Sequence, residues 1–435
     1  MKTFNKLESE VRSYVRSFPT IFQKAKGSIL YDEKGNKYID FFAGAGTLNY
    51  GHNNPIVSEA LISYIQEDNI IHSLDKATSA KRKFLETFNN TILKSRDMKY
   101  KIQFSGPTGT NAVESALKLA RMVKGRQNVI TFTNAFHGLT MGSMAVTANS
   151  FYRDESFINR SNVSFMPYDG YFGPDVNTAH YLRKFLEDES SGIDIPAAII
   201  LETVQAEGGI NVARDEWLRE IEQICRDFDI LLIIDDIQVG NGRTGTFFSF
   251  ENSGINPDII TLSKSIGGGL PLSVVLIKPE FDQWKPGEHT GTFRGNNLAF
   301  IASTRLLGYW KDSNLTEAVY QKERLIKDNL MKIAQKYSVL GAEIRGKGLI
   351  YGLKIPLMGF CSEVSKESFK RGLLIETSGA NNDVLKFLPS LIIENKLLEK
   401  GLGIIEDSIK VVLEREHIQN GIKLNNHIET ENLER

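Results

Sequence analysis

Short runs of apolar, often β-branched residues alternate with amphipathic stretches through the middle of the chain. Residues 128–132 (NVITF), 197–201 (AAIIL), 230–234 (ILLII), 258–262 (DIITL) and 273–277 (SVVLI) have the length and composition of buried strands. Between them the apolar period lengthens to that of a helix, as in residues 215–228, where Asp215 is the expected N-cap. Strand and helix in alternation over this length predict an α/β domain. Its central sheet is expected to be mostly parallel, with helices on both faces. This large domain is placed at residues 60–305. After about residue 310 the pattern changes. A long helix at 315–337, short strands around 348–355 and a helix near 394–414 predict a smaller α+β domain over residues 306–435. The N-terminal segment, residues 1–59, has a turn at 31–35 and a strand-like run at 38–42, and is expected to pack with it. The tail beyond about residue 418 is polar and expected to fray.

Composition narrows the class without changing this picture. A chain of 435 residues exceeds one ordinary core. Its 41% hydrophobic and 24% charged residues are those of a soluble globular protein. A net charge of −1 gives no broad attraction to nucleic acid or to an anionic membrane. The two cysteines, Cys225 and Cys361, form neither a disulfide framework nor a zinc spacing, so both are expected to be buried thiols. No apolar run is long enough to span a bilayer, and the first residues lack a signal-peptide core, so a cytoplasmic location is the expectation.

Candidate chemistry collects where the strands end. In an open α/β sheet, ligands bind beyond the carboxyl ends of the strands. Residues 230–234 run into Asp235 and Asp236, and residues 258–262 run into Ser263 and Lys264. Glycine-rich turns follow both, VGNGRTG and GGGLP. A single lysine at a strand end is most often a solvated terminus. In this company, partial burial would lower its pKa and leave an amine able to form an imine with an aldehyde. Asp235 is the complementary carboxylate, suited to hold a pyridine nitrogen in its protonated form. Its structural alternatives are to cap a helix or to pair with Arg243. SGPTGTNAVESALKLAR, residues 105–121, is a phosphate cradle: small residues including Gly109 and Thr110 open an amphipathic helix whose N-terminus attracts an anion. Phe136, just past a predicted strand, could stack on a cofactor ring, although a phenylalanine there is usually core. His137 beside it is a further candidate for the cofactor site, with a structural role the commoner one. Together these residues describe a crevice for pyridoxal 5'-phosphate, an aldehyde carrying a phosphate.

The motifs GNKYIDFFAGAGTLNYGHNNP, SGPTGTNAVESALKLAR, FTNAFHG, LETVQAEGG, IIDDIQVGNGRTG, LSKSIGGGLP, GTFRGNN and IRGKGLIYGL occur in this order. With them the chain resembles the class III aminotransferases, pyridoxal-phosphate enzymes of fold type I, from about residue 27 to 409. Within that family it is similar to the diaminobutyrate–2-oxoglutarate aminotransferases of ectoine biosynthesis, through its opening residues, the SGPTGTN loop and WKPGEHTGTFRGNN. The resemblance implies transfer of an amino group from L-glutamate to L-aspartate 4-semialdehyde. It also assigns roles. Lys264 becomes the Schiff-base lysine, Asp235 the partner of the ring nitrogen, Gln238 the contact to the ring hydroxyl and Phe136 the stacking aromatic. Gly109 and Thr110 become the phosphate-binding pair. Thr292 reaches the phosphate of a second subunit, which implies a homodimer or a tetramer built from dimers. Glu207 matches a glutamate that in relatives pairs with a later arginine and gates dual-substrate recognition. Four departures stand out, one of them a GGGLP loop about one residue shorter than in the ectoine-type enzymes. QAEGG has Ala206 where QGEGG is usual, a methyl expected to narrow the site. Asn111 replaces a frequent glutamate. Lys386 replaces the arginine, and a lysine cannot form the bidentate carboxylate clamp. Ornithine, acetylornithine and 4-aminobutyrate transfer stay open as alternatives, as do racemases and aminomutases that share the fold.

Overall fold

A computed structural model describes residues 1–154, 156 and 161–431. Seven strands form the central sheet: β1 (Lys101–Phe104), β2 (Val129–Phe132), β3 (Val163–Met166), β4 (Ala198–Leu201), β5 (Leu231–Asp235), β6 (Ile259–Leu262) and β7 (Val274–Ile277). Their spatial order is β1-β7-β6-β5-β4-β2-β3. The pairs within β6-β5-β4-β2-β3 are parallel, while β7 runs antiparallel to both β6 and β1. The five predicted strands are all present. β1 and β3, with exposed or polar positions in short runs, were not evident from the pattern.

The alternation of side chains along these strands explains why both faces are dry. Leu232, Ile234, Ile260 and Leu262 enter one apolar cluster, and their neighbours Leu231, Ile233 and Ile259 enter another. Helix α1 (Gly109–Lys124) closes the second face with Ala112, Val113, Ala116, Leu117 and Ala120. Helix α2 (Asp215–Asp227) closes the first with Trp217, Leu218, Ile221 and Ile224. Each fully buried Ile or Leu contributes roughly 1.5–3 kcal/mol relative to exposure. Because every residue of β2, β4, β5, β6 and β7 is buried, polar side chains are driven to the tips of these strands. Asp215 does not cap α2. It is the first helical residue, with Arg214 in the capping position and the Asp215–Glu216 charges in the first turn. There they favour the helix dipole instead.

Outside this sheet, Phe22–Lys26, Ile29–Asp32 and Lys37–Asp40 form a sheet with Leu373–Leu374, so N-terminal residues hydrogen-bond directly to C-terminal ones. A second four-stranded sheet takes Glu343–Lys347, Ile350–Lys354, Val384–Phe387 and Glu376–Ser378 in that order. The long helices are Asn314–Lys336 and Asn395–Glu431. The latter continues past residue 418, where fraying was expected; residues 432–435 lie outside the described residues. Cys225 and Cys361 are free and buried. Among the described residues, no helix is long and apolar enough to cross a membrane.

Candidate active site

β5 and β6 are neighbours in register, with Asp235 opposite Thr261. Lys264 therefore leaves the sheet three positions beyond the residue paired with Asp235. It does so in a left-handed conformation, φ 52°, which an L-residue adopts only under constraint. The constraint comes from its neighbours. Ser263 Oγ donates to Leu272 O at 2.8 Å, and Ser265 Oγ donates to Gly46 O at 2.7 Å. Pinned on both sides, the turn aims Lys264 away from the line of the strand. Burial pushes its amine down to about 8, against the opposing influence of Glu207, Glu376 and Asp235, while Lys386 adds to the lowering. A minor but far larger fraction of the amine than for an ordinary lysine is then neutral near physiological pH, which is the condition for a nucleophile.

The carboxylate of Asp235 is buried and triply held. His137 Nδ1 lies 2.7 Å from Oδ2, while Thr261 Oγ1 and the Ile237 N–H each donate to Oδ1 at 3.2 Å. Arg243 is not its partner. That guanidinium is fully buried elsewhere, donating to Leu349 O at 2.8 Å and to Pro389 O. His137 is thus a positioning group, with its backbone N–H held by Thr147 Oγ1 at 3.0 Å. Phe136 is fixed through its own N–H, which donates to Glu202 Oε2 at 3.0 Å, and its ring meets Tyr152 edge-on at 5.5 Å.

The helix start at Gly109 stands directly behind this group. A Cβ at Gly109 would sit 3.0 Å from the Ile237 side chain, so any larger residue would require Ile237 to give way for α1 to approach the turn after Asp235 this closely. Asn111 closes a capping box with Thr108, accepting from the Thr108 N–H at 3.2 Å. This is what the unusual residue does: it orders the cradle. Thr110 Oγ1 lies 2.7 Å from Thr140 Oγ1. Ala206 is fully buried in a small apolar cluster with Val204, Ile210 and Val239, so its methyl packs in the core and does not narrow the site.

Lys386 occupies the most unusual position. It is a lysine with no solvent exposure, 2.7 Å from Glu207 Oε1 and 2.8 Å from Glu376 Oε1. Glu207 also accepts from Gln238 Nε2 at 3.0 Å, and Gln238 donates to Ala45 O at 2.9 Å. Opposed by burial, the neighbouring Lys386 and Lys264 charges hold the Glu207 carboxyl down at about 2. A cleft of about 940 Å³ opens onto this cluster, its wall including Tyr14, Phe136, Tyr152, Glu207 and Glu376. Lys264 and Asp235 are not among the residues that line it. Thr292 is not brought to the site by its own chain: it is exposed, with its carbonyl 3.0 Å from His72 Nε2. Glu376, Glu202 and Tyr14 were missed in the sequence. Glu376 lies in an unremarkable strand, and only its pairing opposite Lys386 reveals it.

Residues 11–409 match the family described as aminotransferase class-III. The chain belongs to that family. A diaminobutyrate–2-oxoglutarate transaminase from Wolinella succinogenes is 69% identical over 417 residues, covering 96% of this chain and 98% of its own. One from Halalkalibacterium halodurans is 56% identical, covering 96% and 98%. Among solved structures, an aminotransferase from Bacillus anthracis superposes with a TM-score of 0.84 at 26% identity, over 94% of this chain and 97% of that one. The ornithine aminotransferase from Toxoplasma gondii superposes at 0.82 and 26%, over 95% of each. As a class III aminotransferase, the chain is a pyridoxal-phosphate transaminase of the α/β fold shared by these structures. The described residues fit that cofactor. His137 Nε2 and Gln238 Oε1 are buried beside Asp235 and Glu207 without partners, an arrangement that awaits a polar ligand.

Proposed function

We propose that this aminotransferase moves an amino group from L-glutamate to the aldehyde carbon of L-aspartate 4-semialdehyde, yielding 2-oxoglutarate and L-2,4-diaminobutyrate. The observation that carries the reading is the Glu207–Lys386 pair, in which Glu207 lines the cleft and covers the buried lysine. Glutamate bears a carboxylate on its reacting carbon and diaminobutyrate's reacting carbon bears none. One pocket must therefore offer a cation in one half-reaction and a neutralised surface in the other. A lysine that a neighbouring carboxylate can cover or uncover meets that demand. The substrate names carried by relatives 51–69% identical support the same choice.

Pyridoxal phosphate, when bound, supplies an aldehyde for the amino group and a ring that accepts the electron pair left at the substrate carbon. In this reading Lys264 Nζ would hold the cofactor covalently and, when free, would move a proton at the substrate carbon. Asp235, oriented by His137, faces the ring nitrogen with its negative charge. The N-terminus of α1, through Gly109 and Thr110, binds the phosphate. Gln238 contacts the ring hydroxyl, and Phe136 covers one ring face. Thr292 completes the phosphate site of a second copy. Its surroundings support this homodimer: Phe293 beside it is exposed, as are Ile70, Ile71 and Leu74 around His72, which meets Thr292 O and the Phe293 ring, the latter edge-on at 5.2 Å. The large domain is placed at residues 60–305, the smaller one at residues 306–435 with residues 1–59, and the location in the cytoplasm, serving ectoine synthesis.

A donor and acceptor panel on the purified holoenzyme tests the proposal. Diaminobutyrate with 2-oxoglutarate is expected to release glutamate faster than ornithine, acetylornithine or 4-aminobutyrate does. Preferred turnover of any of those three would replace the substrate assignment.

A further inference from the structure

Lys386 has one positive charge and two carboxylates within ion-pair distance, Glu376 from the neighbouring strand of its own sheet and Glu207 from the turn after Val204–Gln205. One carboxylate would neutralise it. A second buried anion is costly, because the cluster then holds a net negative charge in a site shielded from water. The two carboxylates are not equivalent. Glu207 makes an aligned hydrogen bond from Lys386 and accepts another from Gln238. Glu376 Oε1, although 2.8 Å from the ammonium, is buried without an aligned donor. Glu376 is thus the less firmly held carboxylate of the cluster and the one able to take a proton, whereas Glu207 is held as an anion.

We propose that Glu376 takes up a proton when a dicarboxylate substrate displaces Glu207 from Lys386. Binding of glutamate or 2-oxoglutarate is then proton-coupled, and binding of diaminobutyrate is not. The inference rests on the proposed two-substrate reading of the Glu207–Lys386 pair. Charge counting supplies the reason. With Glu207 and Glu376 ionised the cluster stands at −1. Glu207, displaced from Lys386 but still held by Gln238, stays within the cluster, so a substrate carboxylate on Lys386 would take it to −2, and one proton from solvent onto the Glu376 oxygen turned away from the ammonium restores −1. Glu376 needs no movement to do this, so Lys386 keeps its position while the substrate carboxylate and Glu207 exchange. Burial, aided by Glu207 and opposed by Lys386 and Lys264, lifts the Glu376 carboxyl to about 7, within reach of such a change. The other groups facing it are the phenols of Tyr14 and Tyr152, both raised chiefly by burial. Arg16, Arg153 and Lys366 stand farther along the same cleft wall. Glu376 is accordingly a positioning residue that acts through Lys386.

Calorimetric titration of the holoenzyme with glutarate, a dicarboxylate without a reacting centre, tests this in buffers of different ionisation heat. Proton uptake approaching one per site is expected above about pH 7, falling away below about pH 6 as Glu376 becomes protonated beforehand. Glutarate affinity should weaken by up to about tenfold per pH unit above 7, a slope the KM for diaminobutyrate does not share. Glu376→Gln should abolish both the uptake and the slope. Uptake absent from the wild-type enzyme, or retained by Glu376→Gln, overturns the proposal. Should Glu376→Gln fail to fold, Glu376→Asp must shift the midpoint of uptake, and an unchanged midpoint overturns it equally. Uptake without diaminobutyrate turnover would reject the substrate reading alone. Turnover without uptake would reject only the role of Glu376.

Discussion

Two buried ionic groups face the same small volume and are built on opposite plans. Asp235 ends a central strand and has its carboxylate held by donors from a histidine, a threonine on the adjoining strand and the chain just beyond it. Nothing there is in excess, and every contact comes from the large sheet or its loops. Lys386, Glu207 and Glu376 come from three separate strands or turns, and together they carry one anion more than the lysine needs. The first arrangement has a single low-energy geometry and suits a group that must stay still against a ring. The second has two partners competing for one cation and suits a group that must respond to what binds. A fold can therefore place rigidity and exchange within one site by choosing how fully each charge is satisfied.

Removing the nucleophile is the most severe way to break the rigid half. Lys264→Ala is expected to lower turnover by on the order of 10⁴-fold or more, with no cofactor trapped by borohydride. Retained turnover and trapping would remove Lys264 from its role. Asp235→Asn keeps the shape and removes the charge, and a loss of roughly 10²–10³-fold in kcat is expected with pyridoxal phosphate still bound. On the exchanging half, Lys386→Met strands two carboxylates in the interior. Urea denaturation should then show a loss of about 3–5 kcal/mol, far more than a surface lysine would give. The pH dependence sharpens the contrast further. Because burial holds Lys264 down to about 8, capture of added pyridoxal phosphate by the apoprotein should rise with pH and level off above that value. A capture rate still rising through pH 10, the ordinary lysine range, would mean that the amine is not buried as described. The smallest effect is expected at the cradle. Asn111→Ala removes one half of a capping box, costs about 1 kcal/mol and weakens phosphate binding while kcat at saturating cofactor stays near normal.

Much of the rigid half could be read in the chain, and the exchanging half only in part. Ile230, Leu231, Leu232, Ile233 and Ile234 announce a strand buried on both faces, so the charges that follow, Asp235 and then Lys264 after its own strand, stand at strand tips. The expectation that Asp215 caps its helix failed by one residue, because an acidic residue stabilises the first turn nearly as well as it caps. Ala206 was expected, from its place in a motif of the family, to narrow the site and lies in the core, since a motif does not tell which of its side chains face the cleft. Lys386 and Glu207 were candidates through resemblance, but Glu376 was not. A glutamate in a three-residue strand carries no local signal of its partner.

By itself, then, the amino-acid order determined the strand cores, the helix faces and the chemical types that gather at the sheet's edge, because these follow from burial and periodicity over a few residues. Tertiary structure alone decided that Glu376 and Glu207 converge on Lys386, that His137 orients Asp235, and that Lys264 is held in a left-handed turn by Ser263 and Ser265. Such contacts join residues far apart in the chain, and their energies depend on desolvation and distance, which exist only once the sheets have packed.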